Sequence, residues 1–198
     1  MNASYEMETE LCRAGSGLVA GVDEVGRGAL AGPLVSAAVI LPSGCDLTLR
    51  DSKKLSKKQR AALFYQILES CDDFGIGLAS QTEIDTYGLS LALRMSFVRA
   101  LEMLDMPFSA VILDGKHNAI GEDFVICQTK ADESVACVAA ASILAKVFRD
   151  ELMHGQAEQF PAYGFDAHVG YGTKRHLDAI SKHGPSPLQR LSFRTAGQ

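Results

Sequence analysis

Residues 21–41 read GVDEVGRGALAGPLVSAAVIL, a stretch in which an acidic pair and a glycine-rich loop lie between two apolar runs. The first run, 18–22, predicts a short strand that ends at Asp23 and Glu24, and the second, 33–41, predicts another because it is rich in β-branched residues. Neighbouring residues of a strand point to opposite faces, so both acids can reach one metal site only if the chain bends there, or if one contributes through a second metal or its backbone carbonyl. The glycines that follow permit such a bend.

The rest of the chain predicts three further strands and several helices. Ser80 and Glu83 form a Ser-x-x-Glu capping box, which predicts a helical region to about residue 104 with a break near Gly88. The other predicted helices are 56–70, 134–153 and 173–181, and the further strands are 74–79, 110–113 and 124–127.

The order of these elements predicts an α/β fold. The first three strands follow one another closely, which favours an antiparallel meander, whereas the last two are separated by helices, which favours parallel pairing. We therefore expect a mixed five-stranded sheet flanked by helices. Residues 1–198 are expected to form a single domain, with roughly 160–198 as a small C-terminal helical appendage.

Composition excludes several classes of protein. The chain of 198 residues is 47% hydrophobic and 22% charged, which is typical of a folded globular protein. The N-terminus lacks a secretory signal and no segment is apolar enough to span a bilayer, so a cytoplasmic protein without membrane contact is expected. Five cysteines without a Cys-x-x-Cys pair indicate reduced thiols rather than disulfides or a zinc site.

For the binding of nucleic acid, the distribution of charged residues along the chain matters more than the net charge, which is −5. Residues 50–60, RDSKKLSKKQR, are strongly basic, and so is the tail from residue 171 onward. Such clusters can hold a phosphate backbone. A basic run is also a common solvated start of a helix, and both interpretations remain open on composition alone.

Two further acids stand beside predicted elements. Asp114 follows the strand 110–113, and Asp132 precedes the helix 134–153. Each has a structural alternative, since Asp-Gly is a turn signal and Asp is a frequent helix N-cap. Together with Asp23 and Glu24, they offer the hard oxygen ligands that suit Mg²⁺ or Mn²⁺. Two such ions about 4 Å apart serve phosphodiester hydrolysis.

The loop from Gly26 to Ala31 also matches the dinucleotide-binding pattern G-x-G-x-x-A. That pattern requires a helix that opens within it, whereas Gly32 and Pro33 follow here and lead into a strand-like run. A dinucleotide-binding oxidoreductase is therefore the alternative and not the preferred function. A nucleic-acid-binding protein without catalysis is the third candidate.

Six motifs in order resemble the ribonuclease HII family, and they span the chain from residue 18 to residue 193. The motifs are GVDEVGRGALAGPLVSAAVIL at 21–41, DSKKLSKKQR at 51–60, ILDGK at 112–116, KADESVACVAAASILAKVFRD at 130–150, YGFDAHVGYGT at 163–173 and HGPSPLQRLSF at 183–193. The resemblance implies a ribonuclease H-like fold with a C-terminal helical extension.

The resemblance also implies an activity. It is endonucleolytic cleavage of RNA in RNA–DNA hybrids and at single ribonucleotides embedded in DNA, on the 5′ side, leaving a 3′-hydroxyl and a 5′-phosphate. The implied partners are these duplexes, with no dinucleotide and no membrane, and a monomer is expected. The implied catalytic and metal-binding residues are Asp23, Glu24, Asp114 and Asp132, holding Mg²⁺ or Mn²⁺, two ions during catalysis.

The family's nucleic-acid contacts are implied at further positions. The loop Gly26, Arg27 and Gly28 would sense the 2′-hydroxyl that distinguishes RNA from DNA. Tyr171 would stack on the deoxyribose next to the ribonucleotide, although a Gly-Tyr-Gly sequence alone predicts only a turn. The implied phosphate contacts are Ser52, Lys53, Lys54, Lys146 and Arg149. Departures from the family pattern are Ala131, Glu133 and Gln189, of which Glu133 adds an acid beside Asp132.

Overall fold

The computed structural model describes residues 2–49 and 55–193. Its centre is a five-stranded sheet in the order β3-β2-β1-β4-β5. The strands are β1 (Val19–Val25), β2 (Leu34–Ile40), β3 (Asp73–Ala79), β4 (Ala110–Asp114) and β5 (Val125–Gln128). β1 pairs antiparallel with β2 and parallel with β4, so the predicted mixed sheet is confirmed. β2 and β3 complete the antiparallel meander, and β4 and β5 pair in parallel.

Eight α-helices surround the sheet in the described residues. They are α1 (Glu6–Leu11), α2 (Lys57–Ser70), α3 (Gln81–Tyr87), α4 (Leu89–Glu102), α5 (Ala131–Ser134), α6 (Ala136–Gln159), α7 (Phe165–His168) and α8 (Lys174–His183). The predicted capping box is present, because Ser80 Oγ accepts from the Glu83 amide and the Glu83 carboxylate accepts from the Ser80 amide. The predicted break is confirmed at Gly88, whose φ of 80° separates α3 from α4.

The two faces of β1 contact different helices. Ala20 and Val22 pack in one cluster with Phe97 of α4. On the other face, Gly21 lies so close to the start of α6 that a Cβ there would overlap with the backbone of Cys137. Because side chains alternate along a strand, Asp23 points to the same side as Gly21, toward α6. The sequence of β1 thus places a carboxylate against the helix that carries the basic residues of the site.

Two predicted boundaries differ from the structure at the acidic residues. β1 runs on to Val25 and contains Asp23 and Glu24, because both residues still pair with β2. Asp132 lies inside the short helix α5, where Lys130, with a φ of 60°, occupies the N-cap position. The interpretation of Asp132 as an N-cap is therefore wrong.

Helix α1 has no counterpart among the predicted elements. Its Glu8 carboxylate lies at the N-terminus of α6, where Oε1 accepts a hydrogen bond of 2.6 Å from the Cys137 amide. Burial raises the pKa of Glu8, and the exposed amides of a helix N-terminus offset part of that cost. The N-terminal segment thereby holds the first turn of α6 in place.

The residues after α6 form the predicted C-terminal helical extension. Phe165 of α7 is fully buried in a small cluster with Ala31 and Met153, so this segment packs on the glycine loop and on the second half of α6. The five cysteines are all free thiols. No helix among residues 2–49 and 55–193 has the length and apolar character needed to cross a membrane.

Candidate active site

Three of the four predicted acids line one cavity of about 390 Å³. Val22 and Leu113 are partners in the parallel pair of β1 and β4, so Asp23 and Asp114 follow at the same level of the sheet. Glu24 lines the same cavity, together with Ser142 and Lys146 of α6, Tyr171 and the glycine loop. The cavity is therefore lined by acidic side chains together with cationic and aromatic ones.

Asp23 is the most enclosed of these carboxylates, with 6% of its surface exposed. Its Oδ1 accepts a hydrogen bond of 2.8 Å from the Glu24 amide, and its carboxylate also hydrogen-bonds Ser142. Burial raises the pKa of Asp23 well above its ordinary value, and the carboxylates of Glu24 and Asp114 raise it further. A divalent cation in the cavity would reverse this effect because it favours the ionised form.

Glu24 reaches the cavity although it is the next residue along β1. The strand ends at Val25, and Gly26 then turns the chain with a φ of 88°. Arg27 Nη1 lies 3.8 Å from Glu24 Oε1, but the Arg27 side chain is 63% exposed, so this pair adds little stability. The expected bend after the acidic pair is therefore present.

Asp114 joins the cavity to the segment that carries the fourth acid. Its Oδ1 accepts a hydrogen bond of 2.8 Å from the amide of Ala131, the first residue of α5. Asp132 is buried in α5, with 3% of its surface exposed, and is not among the residues that line the cavity. The additional acid Glu133 lies 3.7 Å from Lys130 and does not line the cavity either.

The donor chemistry of the cavity fits a hard divalent cation. Three carboxylates converge on it, and the buried one is disfavoured as an anion while no cation is bound. Across residues 2–49 and 55–193, no group of three or more His, Cys, Asp or Glu side chains already has the geometry that holds a metal ion. An ion would therefore have to draw the carboxylates closer together.

The glycine loop has one crowded glycine and one open glycine. A Cβ on Gly26 would overlap with the side chain of Arg149, whereas Gly28 has no atom within 4 Å of the place where its Cβ would lie. Gly28 thus leaves its backbone accessible beside the cavity. No helix begins between Gly26 and β2, so the dinucleotide-binding interpretation lacks the element that it requires.

Lys146 and Tyr171 lie together at the rim of the cavity. Lys146 Nζ is 2.8 Å from Asp150 Oδ1 and 5.9 Å from the centre of the Tyr171 ring. The Arg149 guanidinium lies 5.4 Å from the same ring. Two cations thus lie close to the ring, which is half-buried.

The prediction that Arg149 contacts a substrate phosphate is corrected by its burial. None of its surface is exposed, and its guanidinium donates hydrogen bonds to the carbonyls of Ala31, Pro33 and Val169. The side chain therefore binds the protein's own backbone. The predicted contacts Ser52, Lys53 and Lys54 lie outside the described residues.

Two polar residues of the cavity, Ser142 and Arg60, were not singled out from the sequence. Ser142 lies on α6 one turn before Lys146, and this spacing of four residues could have indicated a shared helix face. Arg60 of α2 also lines the cavity, and it donates to the Leu55 carbonyl at 3.2 Å. Arg60 belongs to the basic run 50–60, which the family resemblance implies as a phosphate-binding segment, but the resemblance named Ser52, Lys53 and Lys54 and not Arg60.

The mixed sheet of this strand order, with carboxylates near the adjoining ends of β1 and β4, has the arrangement of the ribonuclease H-like fold, whose members include nucleases. A crystal structure of the ribonuclease H2 from Pyrococcus horikoshii OT3 has this fold with a TM-score of 0.76 and 28% sequence identity, covering 89% of this chain and 93% of that chain. The family model described as Ribonuclease HII matches residues 20–196, and the chain belongs to the ribonuclease HII family.

A curated relative supports the family, and a further solved structure supports the fold. A ribonuclease HII from Hydrogenovibrio crunogenus is 48% identical over 178 residues, which cover 89% of this chain and 85% of the relative. A Bst-RNase HIII, solved in complex with Mn²⁺, shares the fold with a TM-score of 0.67 at 20% identity, covering 89% of this chain and 67% of that chain. The predicted family and fold are therefore confirmed.

Proposed function

We propose that the protein is an endonuclease that hydrolyses the RNA strand of RNA–DNA hybrids and incises DNA 5′ to single embedded ribonucleotides. The products are a 3′-hydroxyl and a 5′-phosphate. The observation that carries this proposal is the cavity in which Asp23, Glu24 and Asp114 meet beside Lys146 and Tyr171. Membership of the ribonuclease HII family supports the same reaction.

The proposed cofactor is Mg²⁺ or Mn²⁺, held by Asp23, Glu24 and Asp114 with Asp132 as the fourth acid. Bound in a pair, such ions activate a water and stabilise the leaving oxygen in phosphodiester hydrolysis. The three converging carboxylates and the raised pKa of Asp23 support this choice. The Mn²⁺ found in the related Bst-RNase HIII supports it independently.

The chain's own side chains orient the substrate. Lys146 offers an ammonium group at the cavity, where it can contact a phosphate oxygen, and Arg60 offers a guanidinium on the side of α2. Asp150 lies 2.8 Å from Lys146 and holds that side chain in one position. Ser52, Lys53 and Lys54 are proposed as further phosphate contacts.

Recognition of the ribonucleotide is proposed for the glycine loop and Tyr171. The open backbone at Gly28 can approach a 2′-hydroxyl closely, with Gly26 and Arg27 on the same loop, and the Tyr171 ring can stack on the adjoining deoxyribose. A 2′-hydroxyl that pairs with buried polar groups gives strong discrimination, because a substrate without it leaves those groups unpaired. We further propose that the protein acts in the cytoplasm as a single-domain monomer.

A panel of three duplexes tests the proposed function. One duplex holds a single ribonucleotide in DNA, one is a long RNA–DNA hybrid and one is DNA alone, each incubated with Mg²⁺, Mn²⁺ or EDTA. We expect cleavage of the first two with either ion and of none in EDTA, with ends mapped to a 3′-hydroxyl and a 5′-phosphate. Binding without a nick would instead support a nucleic-acid-binding protein, and specific binding of a dinucleotide would support the oxidoreductase.

A further inference from the structure

Two arginine side chains are completely buried beneath the glycine loop. Arg149 of α6 and Arg190 of the C-terminal segment both have 0% of their surface exposed. In the described part of the chain, neither forms a salt bridge with a carboxylate. Their charges are instead surrounded by backbone carbonyls, an arrangement that requires an explanation because burying a charge is costly.

The two guanidinium groups hold the loop from two sides. Arg190 donates from Nε to the Gly32 carbonyl at 2.9 Å and from Nη1 to the Arg27 carbonyl at 3.2 Å. Arg149 donates to the carbonyls of Ala31 and Pro33 at 3.1 and 2.9 Å. Four carbonyls between residues 27 and 33 are therefore fixed by two side chains.

The same contacts join the glycine loop to the loop that carries Tyr171. Arg149 also donates to the Val169 carbonyl at 2.8 Å, and the amide of Leu30 donates to the Gly170 carbonyl at 2.9 Å. Gly170 approaches the Ala31 carbonyl so closely that a Cβ would overlap with it. The two proposed recognition elements, the glycine loop and Tyr171, thus form one connected unit.

The position of the two cations is unfavourable in itself. Burial and, to a smaller extent, the charge of Arg149 lower the pKa of Arg190 to about 10; burial also lowers the pKa of Arg149. Arg190 Nη2 is buried without a hydrogen-bond partner in the described residues. Replacing buried charged groups with apolar side chains of similar volume is often neutral or stabilising, so filling this space does not by itself require two arginines.

We infer that Arg190 and Arg149 are positioning residues that set the substrate selectivity of the enzyme. They fix the orientation of the glycine loop relative to Tyr171, so that a ribonucleotide followed by a deoxynucleotide fits both elements at once. This inference rests on the proposed function of those two elements. A guanidinium is suited to the task because its planar fork reaches two carbonyls with defined geometry, which an ammonium group cannot do.

The test is the Arg190→Lys variant, which keeps the charge and removes the fork. The quantity measured is the ratio of kcat/KM for a duplex with one ribonucleotide to kcat/KM for a long RNA–DNA hybrid. We expect the ratio to fall by about tenfold, mainly through kcat on the single ribonucleotide, because small misplacements act on the reacting geometry. Arg99→Lys is the matched control, because Arg99 also bonds a backbone carbonyl, that of Leu78, and does not line the cavity.

A second variant changes the contact between the glycine loop and the loop that carries Tyr171. Gly170→Ala introduces a methyl group against the Ala31 carbonyl at a φ of 87°, and we expect it to lower the same ratio. Circular dichroism and thermal melts show whether each variant folds, and the kinetics are measured well below each midpoint. If Arg190→Lys does not fold, the ratio of kcat/KM values measured for Gly170→Ala tests the inference instead.

The outcomes separate this inference from the function on which it rests. A wild-type protein that cuts neither duplex contradicts the proposed function. If the wild type cuts both duplexes, and Arg190→Lys and Gly170→Ala lower the rates on both duplexes equally, the proposed function is supported. The positioning role of Arg190 and Arg149 is then contradicted. A ratio that falls in both variants and stays unchanged in Arg99→Lys supports it.

Discussion

Asp114 Oδ1 accepts a hydrogen bond of 2.8 Å from the backbone amide of Ala131. This bond connects the end of β4 to the first residue of α5, the short helix that contains Asp132. Asp114 therefore has two roles, since it lines the acidic cavity and also holds the segment that carries the fourth acid. The two roles can be separated by substitution.

Asp114→Asn is expected to abolish activity without a large loss of stability. The amide oxygen of Asn can still accept from Ala131, whereas its neutral group binds a divalent cation poorly, so kcat/KM should fall at least about a hundredfold. Asp114→Ala also loses the hydrogen bond and should lower the free energy of unfolding by about 1 kcal/mol more than Asn does. Cleavage rates and denaturant melts of the two variants measure these effects, and wild-type rates in Asp114→Asn would contradict the assignment.

Asp23→Asn is expected to stabilise the metal-free protein while it abolishes cleavage. Because the folded protein raises the pKa of Asp23, the stability contributed by this group is present at low pH and is lost as the pH rises through the folded value. Asn carries no charge at any pH and can keep the bond to Ser142. In EDTA at pH 8 the free energy of unfolding of the variant should therefore be roughly 1 kcal/mol higher than that of the wild type.

The control for this prediction is the addition of Mg²⁺. The wild type should gain stability because an ion bound only by the folded state shifts the unfolding equilibrium, and Asp23→Asn should gain less. A variant that is less stable than the wild type in EDTA at pH 8 would show that the ionised carboxylate is not disfavoured in the fold.

Tyr171→Ala is expected to reduce the preference for a ribonucleotide next to DNA more than it reduces stability. Loss of the ring removes the proposed stacking on the deoxyribose, worth up to about tenfold in selectivity. It also removes the contacts with Lys146 and Arg149, which contribute about 1 kcal/mol at most. Tyr171→Phe keeps the ring and is the control. Equal selectivity in Tyr171→Ala and Tyr171→Phe would argue against stacking.

His176 is expected to make the protein acid-sensitive. Its Nδ1 lies 3.1 Å from the Tyr171 carbonyl, and its ring stacks on His168 with centroids 4.6 Å apart. Burial lowers the pKa of both histidines, so each is held neutral in the fold. A lowered folded pKa gives stability that is present above the unfolded value of about 6.5 and is lost as the pH falls through the folded value.

We therefore expect the free energy of unfolding to decline from about pH 6.5 downward, and to decline less in His176→Asn. The Asn side chain can still donate to the Tyr171 carbonyl but does not titrate. His117→Asn, at an exposed position, serves as the control and should follow the wild-type curve. Identical pH dependence in His176→Asn and the wild type would exclude a contribution from this histidine.

The sheet was predictable because its strands show strong local signals. The apolar run 33–41 and the break at Gly88 follow from residue preferences that act over a few positions. α5 was missed because a helix of four residues has too little periodicity to detect. α1 was missed because it depends on a contact between Glu8 and the distant amide of Cys137.

The candidate site was predictable in its acids and less so in its cations. Asp23 and Glu24 stood out in an apolar context, whereas Asp114 was joined to them by its spacing and the family pattern; all three line one cavity. Arg149 was expected to contact a substrate phosphate because of the family resemblance, yet its side chain is fully buried. The burial of Arg149 and of Arg190 depends on backbone carbonyls that only the folded chain brings together.

The most direct test compares two DNA duplexes that differ in one 2′-oxygen. Wild type and Asp23→Asn are incubated with each duplex in Mg²⁺ under single-turnover conditions, and the product ends are mapped to single-nucleotide resolution. The account predicts one nick, 5′ to the ribonucleotide, made by the wild type alone and absent in EDTA. Cleavage of the all-DNA duplex, a nick elsewhere or undiminished cleavage by Asp23→Asn would contradict it.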